Sequence, residues 1–256
     1  MRKILCCMLL SFTLFACSKD VSDPEPEPKF DVNTKSVSLY SGVEHFITTV
    51  NGTNVTFESD NPYIATVNKT SGKVTAMTIG TTMIRVRSDQ GNASVMVTVN
   101  PMYNTYKEPY RKFHMTKSMI LANCGTPDSE TSNVLLYYYS SLDTHVADMY
   151  QFENDFLSCS AALINQDAAT ETMKFLLERY WPAGTQDGMY MFVNGASRET
   201  VTMGVTLTKM SGYKLYIVTY MPFTFTKYDT RSYYNELYVE DIIKNFDEEL
   251  LEQYKE

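Results

Sequence analysis

Between Ser36 and Val99, short runs of β-branched and aromatic residues alternate with turn residues, a pattern typical of an all-β sandwich. Val95, Val97 and Val99 share one face of the last run, because successive side chains of a strand point to opposite sides. We therefore predict an immunoglobulin-like sandwich over residues 33–100. Its seven strands are predicted at Ser36–Tyr40, Glu44–Val50, Val55–Glu58, Ile64–Asn68, Lys73–Ala76, Thr81–Ser88 and Ala93–Val99.

Two sequence blocks in this stretch resemble a known family. FESDNPYIATVN begins at Phe57, and SGKVTA begins at Ser71 and is followed by GTT from Gly80. In this order the blocks resemble the group 2 bacterial immunoglobulin-like (BIG2) domain, although Phe57 stands where that family often has tryptophan. The resemblance implies adhesion or presentation at a cell surface and no catalysis. Whether this copy is a rigid spacer or binds a ligand itself stays open.

The first 16 residues have the form of a leader peptide. Arg2 and Lys3 precede an apolar run that is shorter than the roughly 20 residues needed to span a bilayer, and the run ends at Leu-Phe-Ala-Cys17. This arrangement resembles bacterial lipoproteins, which implies cleavage before Cys17 and acylation of that residue. Residues 17–32 then form a spacer rich in proline and glutamate. The expected location is the outer membrane, lipid-anchored and exposed at the cell surface.

The charge of the chain excludes one class of partner. Loss of Arg2 and Lys3 with the leader takes the net charge from −8 to −10. Such an acidic chain is a poor ligand for the phosphate backbone, so no nucleic-acid partner is expected. The membrane is expected as a partner only through the lipid on Cys17.

Residues 101–256 are predicted to form a second, α+β domain. A helix at Thr116–Asn123 is followed by three predicted strands, and a helix at Ala168–Tyr180 by three more. Two such helix-plus-three-strand units suggest one antiparallel sheet with helices on one face. The order of elements and the Gly125-Thr126-Pro127 turn resemble small envelope lipoproteins and secreted β-lactamase inhibitors. The remaining elements are predicted strands at Val134–Ser140, Val146–Glu153, Phe156–Ile164, Met189–Val193, Val201–Thr208, Tyr213–Tyr220 and Phe223–Tyr228, and a final helix at Tyr233–Tyr254.

Motifs for catalysis, cofactors and metals are missing from the sequence, so neither an enzyme nor a cofactor is expected. The nearest approach to a metal cluster is His145 with Asp143 and Asp148, which we interpret as a solvated hairpin turn. Glu171 and Glu178, two turns apart on a helix, are interpreted as a solvated face rather than an acid–base pair. Cys124 and Cys159, the cysteines left after the leader and Cys17, form either a disulfide or two free thiols.

Tyrosine marks the second domain, which holds 17 of the 19 tyrosines. Tyr137 and Tyr139 share one face of a predicted strand and Tyr138 lies on the other. A tyrosine ring has a broad apolar face and a polar edge, which suits sugars and protein surfaces. Tyr137, Tyr139 and Trp181 are therefore the candidate ligand-binding residues, with core packing as the alternative for each.

The order of anchor, spacer, sandwich and aromatic domain gives the functional hypothesis. The immunoglobulin-like module is expected to hold a C-terminal domain that binds a glycan or a protein. The alternative is an envelope enzyme or enzyme inhibitor carried by the C-terminal domain.

Overall fold

The structure is a computed structural model that describes residues 29–139, 144–223, 246 and 248–256. The predicted leader, Cys17 and the spacer as far as Pro28 lie outside the described residues. So do the strand predicted at Phe223–Tyr228, apart from Phe223, and most of the final predicted helix.

The N-terminal module is a β-sandwich. Its four-stranded sheet has the order β2-β9-β8-β5, its three-stranded sheet the order β3-β7-β6, and β1 pairs with β4. The strands are β1 (Asp31–Val32), β2 (Ser36–Tyr40), β3 (Glu44–Phe46), β4 (Thr49–Val50), β5 (Thr56–Ser59), β6 (Ala65–Val67), β7 (Lys73–Ala76), β8 (Gly80–Ser88) and β9 (Gly91–Asn100). The predicted strand at Glu44–Val50 is thus divided into β3 and β4.

Alternating side chains of the two long strands fill the sandwich core. Val95 and Val97 of β9 are fully buried and Val99 nearly so, which confirms the shared face predicted for them. Phe57 packs in the same core and closes over the turn between β6 and β7. Gly72 in that turn has a φ of 67°, and a Cβ there would lie 2.7 Å from the Phe57 ring. The glycine therefore serves both the turn and the packing of the phenylalanine.

The C-terminal part contains one antiparallel sheet of eight strands in the order β10-β11-β12-β13-β17-β16-β15-β14. Two helices precede its two halves. The elements are α1 (Lys117–Cys124), β10 (Ser129–Glu130), β11 (Val134–Tyr138), β12 (His145–Glu153), β13 (Phe156–Asn165), α2 (Ala169–Leu177), β14 (Trp181–Gln186), β15 (Met189–Val193), β16 (Met203–Lys209), β17 (Leu215–Pro222) and α3 (Glu248–Glu252).

Each half of this sheet is a helix followed by four strands, where the sequence predicted three. The first half runs from α1 to β13 and the second from α2 to β17, and the last strands of the two halves pair in the middle of the sheet. The two additional strands, β10 and β14, are the outer edges of the sheet. The order of helices and strands is therefore the same in the two halves, and the strand order of the sheet is symmetric about the β13–β17 pair.

The sheet buries both of its faces. Ile120 of α1 and Phe175 of α2 pack on one face, together with aromatic residues of the segment 103–113. Phe246 and Leu251, at the C-terminal end of the chain, pack on the other face. Across the described residues, no helix has both the length and the apolar character to cross a membrane.

Candidate ligand-binding cleft

A cleft of about 1340 Å³ opens on the face of the large sheet that carries α1 and α2. Its walls come from segment 107–115, which we call the joint segment, and from Met119, Asn123 and Cys124 on α1. Four side chains from β11, the residue after it and β12 form the floor, which is completed by the ends of β15, β16 and β17. The floor residues from the first half of the sheet are Tyr137, Tyr139, Asp148 and Tyr150.

Strand geometry explains why these four side chains meet. Tyr137 and Tyr139 are two positions apart and therefore project to the same face. Asp148 pairs with Tyr137 across the β11–β12 ladder, and Tyr150 lies two residues beyond it. Tyr138 instead packs against the core on the opposite face. Tyr137 and Tyr139 thus lie on one face of the sheet and Tyr138 on the other, as the sequence predicted.

The two candidate tyrosines differ in exposure. Tyr137 is only 7% exposed, its ring meets that of Tyr150 edge-on at 5.8 Å, and its hydroxyl donates to Gly125 O at 3.0 Å. Burial raises the pKa of Tyr137 to about 12. Tyr139 is 42% exposed. Tyr139 therefore offers a ring to a ligand, whereas Tyr137 mainly supports the floor.

A buried carboxylate organises the polar part of the floor. Asp148 is 4% exposed and accepts a hydrogen bond from the Tyr139 hydroxyl at 2.7 Å. Its other oxygen lies 2.8 Å from Nε2 of His145, whose ring packs against Tyr139 and Tyr106. Burial and the neighbouring Asp148 charge raise the pKa of Tyr139, so this phenol stays protonated as a donor. The exposed edge of Tyr139 is thereby fixed in orientation.

His145 and Asp148 are strand residues rather than parts of a solvated turn. His145 begins β12, and Asp148 lies inside the strand. Asp143, the third member of the predicted group, lies outside the described residues. Among the residues that are described, no three His, Cys, Asp or Glu side chains come together as a metal site would require. One sequence signal for this site was overlooked. Asp148 and Tyr150 are two positions apart in a strand otherwise rich in apolar residues, so their side chains lie on the same face of the sheet.

A second polar network fixes the wall of the cleft. The Tyr180 hydroxyl donates to Glu108 Oε1 at 2.6 Å, and Arg111 Nη1 lies 2.7 Å from the same oxygen and also donates to the Tyr180 hydroxyl. The hydroxyls of Tyr106 and Tyr220 form a hydrogen bond of 2.5 Å inside the domain. These contacts tie the joint segment to Tyr180, just beyond α2, and tie Tyr106, the residue before the joint segment, to β17. The wall is therefore held in place by polar side chains that are partly or fully buried.

Trp181, the third candidate, lies outside the cleft. Its ring stacks on Tyr63 of the sandwich with 5.8 Å between ring centroids, and its Nε1 donates to Tyr63 O at 3.3 Å. The Tyr63 hydroxyl donates to Arg179 O at 2.7 Å, and Ile79 N donates to Glu178 O at the same distance. Trp181 thus belongs to the contact between the two domains.

Replacing Tyr63 with alanine is expected to open this contact. The stacked pair contributes about 0.5–1.5 kcal/mol beyond its buried area, and the hydrogen bond to Arg179 O is lost as well. Trp181 is the only tryptophan of the chain, so its fluorescence reports on the contact directly. We expect a red-shifted emission in Tyr63→Ala and none in Tyr40→Ala, which removes an exposed tyrosine of the same sandwich. Equal spectra for the two variants would contradict the assignment.

Cys124 and Cys159 are both free thiols, so the disulfide that the sequence allowed is not formed. Cys159 is buried on the sheet face that carries Phe246, and Cys124 packs on the opposite face beside Tyr150. The sheet itself separates the two sulfur atoms. Burial raises the pKa of Cys159 to about 12 and raises that of Cys124 above its usual range.

Alkylation without reductant is expected to distinguish the two thiols. In the native chain from Ser18 to Glu256, one group should add at half-buried Cys124, while Cys159 stays unreactive because neither thiolate nor reagent is accessible there. After unfolding, still without reductant, two groups should add. Intact mass gives the count, and a chain that takes no reagent after unfolding would reveal a bridge instead.

The solvated helix face expected for Glu171 and Glu178 is wrong for Glu178. Glu171 is exposed, whereas Glu178 is 3% exposed and accepts hydrogen bonds from the backbone nitrogens of Met102 and Tyr103 at 2.9 and 3.1 Å. Its Oε1 also lies 2.5 Å from Arg179 Nη1. Glu178 therefore anchors the chain where it leaves the sandwich.

Comparison with protein families identifies the first module. Residues 35–99 match the bacterial Ig-like domain (group 2). This match confirms the module predicted from FESDNPYIATVN and SGKVTA, and it covers about a quarter of the chain. No curated protein matches the chain.

Solved structures similar to the chain include a fragment of intimin and part of a surface layer protein. One is a C-terminal 282-residue fragment of intimin in complex with the intimin-binding domain of the translocated intimin receptor, with 18% identity, a TM-score of 0.27, and coverage of 50% of this chain and 61% of that one. The other is domains 4–9 of the surface layer protein SbsC, with 13% identity, a TM-score of 0.26, and coverage of 75% and 26%. Likenesses at this level identify neither an activity nor a partner for the C-terminal domain.

Proposed function

We propose that this chain is a lipid-anchored surface protein in which the Ig-like module presents a C-terminal binding domain. Acylation of Cys17 would hold it in the outer membrane, and the spacer would lift the module towards the outside. The ligand, a glycan or a protein, would occupy the cleft. The observation that carries the proposal is the cleft floor, where the exposed ring of Tyr139 stands beside a buried, hydrogen-bonded carboxylate.

Three features support binding at this place. The cleft volume exceeds the roughly 300–1,000 Å³ of pockets for small ligands, so the site has room for an oligomeric one. The Glu108–Arg111–Tyr180 contacts hold the wall before any ligand arrives, which lowers the cost of ordering the site. The Tyr63–Trp181 stack joins the module to the binding domain, so the module can hold the cleft in a defined direction.

One observation, the pairing of His145 with Asp148, favours the alternative of an envelope enzyme. A histidine base must reach the proton it abstracts. His145 does not line the cleft, and its Nε2 is occupied by Asp148. The pair therefore suits orientation of Tyr139 better than proton transfer, and binding remains the proposal.

The test is a glycan array probed with the chain from Ser18 to Glu256 and with its Tyr139→Ser variant. We expect specific glycans to retain the unaltered chain and to lose the variant. Intact glycans recovered after incubation support binding, whereas cleaved ones would favour the enzyme. If no glycan is retained, the same two proteins can be used to capture partners from a lysate, and a partner lost in the variant would place a protein ligand in the cleft.

A further inference from the structure

The mouth of the cleft carries cationic side chains in an otherwise acidic chain. Lys107 and Lys112 of the joint segment line the cleft and are exposed, and neither forms an ion pair with a carboxylate of the described residues. Arg111 between them differs, because Glu108 neutralises it. Within the part of the chain that the structure describes, the two lysines therefore carry charges that no carboxylate neutralises.

The floor beneath these lysines offers groups that suit a sugar. Tyr139 presents its ring with the hydroxyl fixed by Asp148. On the α1 wall, the Asn123 side chain donates from Nδ2 to Met119 O, which leaves its carbonyl oxygen to accept from a ligand hydroxyl. Apolar ring faces combined with a few fixed polar groups are the usual composition of ligand sites.

We propose that the cleft binds an acidic oligosaccharide, with a sugar ring on Tyr139 and carboxylate or sulfate groups against Lys107 and Lys112. This inference rests on the proposed function and names its ligand class. A peptide that binds by strand addition is disfavoured, because that mode requires a free sheet edge. The edges here are β10 and β14, whereas the cleft lies over the face of the sheet.

Matched glycans test the charge requirement. The array carries uronic-acid oligosaccharides beside their methyl esters, and sulfated oligosaccharides beside their desulfated forms, together with a polyglutamate peptide. We expect the acidic member of a bound pair to bind at least about tenfold more tightly at an ionic strength of about 0.01 M, and the preference to shrink at about 1 M as the Debye length falls from about 30 to about 3 Å. The two kinds of pair separate carboxylate from sulfate recognition.

A double variant locates the effect. Lys107→Ala with Lys112→Ala is expected to lower affinity for the acidic glycan by roughly tenfold and to leave the weak binding of the neutral form unchanged. The control is Lys69→Ala with Lys214→Ala, which removes the same charge from exposed lysines outside the cleft. Equal losses in both double variants would show a general charge effect and overturn the assignment to the cleft.

The remaining outcomes separate this inference from the proposed function. Equal binding of acidic and neutral glycans that Tyr139→Ser abolishes would overturn the acidic class and leave the binding function standing. Retention of polyglutamate alone would overturn the saccharide and favour a protein ligand. Retention of nothing by the folded chain would overturn the acidic saccharide and leave only a protein ligand to support the proposed function.

Discussion

Replacing Glu178 with alanine is expected to destabilise the C-terminal domain by about 3–5 kcal/mol. The side chain is buried and accepts hydrogen bonds from Met102 N and Tyr103 N while it contacts Arg179. Its removal leaves the two backbone N–H groups without an acceptor. It also leaves the Arg179 guanidinium group, which is only 10% exposed, without the carboxylate beside it that balances its charge. Losing one member of a buried pair is costly because the other charge remains buried.

Urea unfolding followed by Trp181 fluorescence measures this loss, because the tryptophan lies three residues beyond Glu178. The matched control is Glu171→Ala, which removes an exposed carboxylate from α2, the helix that ends just before Glu178, and should change stability by less than about 0.5 kcal/mol. Equal midpoints for the two variants would mean that Glu178 is not the anchor that its contacts indicate.

The sandwich was predictable because its local pattern and its packing agree. The predicted bounds of β2 and β7 are those of the structure. Val95, Val97 and Val99 could be assigned to the core from alternation alone, since one face of a sandwich sheet is buried and the other is not. The sequence blocks around Phe57 and Gly72 supplied the family, and Gly72 is required by both a positive φ and the Phe57 ring.

The outer strands of the large sheet were missed for physical reasons. Both residues of β10 are exposed, so no apolar alternation marks the strand. β14 contains Pro182 and Gly184, which indicate a turn unless the strand lies at an edge, where a missing N–H costs no ladder hydrogen bond. Edge strands are specified by their neighbours more than by their own residues.

The binding site was predictable only in part. The alternation of side chains along a strand placed Tyr137 and Tyr139 on one face of the sheet. It could not show that α1 covers the Tyr137 ring while the Tyr139 ring faces the cleft. The Glu108–Arg111–Tyr180 network joins an irregular segment to a residue about 70 positions later, and no periodicity links such residues. Trp181 was selected for its chemistry, yet its surroundings are set by Tyr63 of the other domain.

Tyr137→Ser and Tyr139→Ser are expected to rank in opposite order for loss of stability and for loss of ligand binding. Tyr137→Ser removes a buried ring from contact with Tyr150 and leaves Gly125 O without its donor, so the domain should lose about 3–5 kcal/mol of stability. Tyr139→Ser removes a ring that is 42% exposed, and water in the cleft can replace its hydrogen bond to Asp148. Its cost in stability should be about 1 kcal/mol.

Ligand binding should show the reverse order, because a ring at the centre of a site contributes about 2 kcal/mol or more, equivalent to roughly a 30-fold loss of affinity. Tyr139→Phe separates the ring from its hydroxyl and should retain most of the affinity if stacking on the ring dominates. Thermal melts and titrations with an array-selected glycan measure the two quantities on the same proteins. If Tyr139→Ser lowers the melting temperature as much as Tyr137→Ser does, Tyr139 is a core residue. If the Tyr139→Ser variant is stable and keeps its full affinity, the ligand binds somewhere other than this floor.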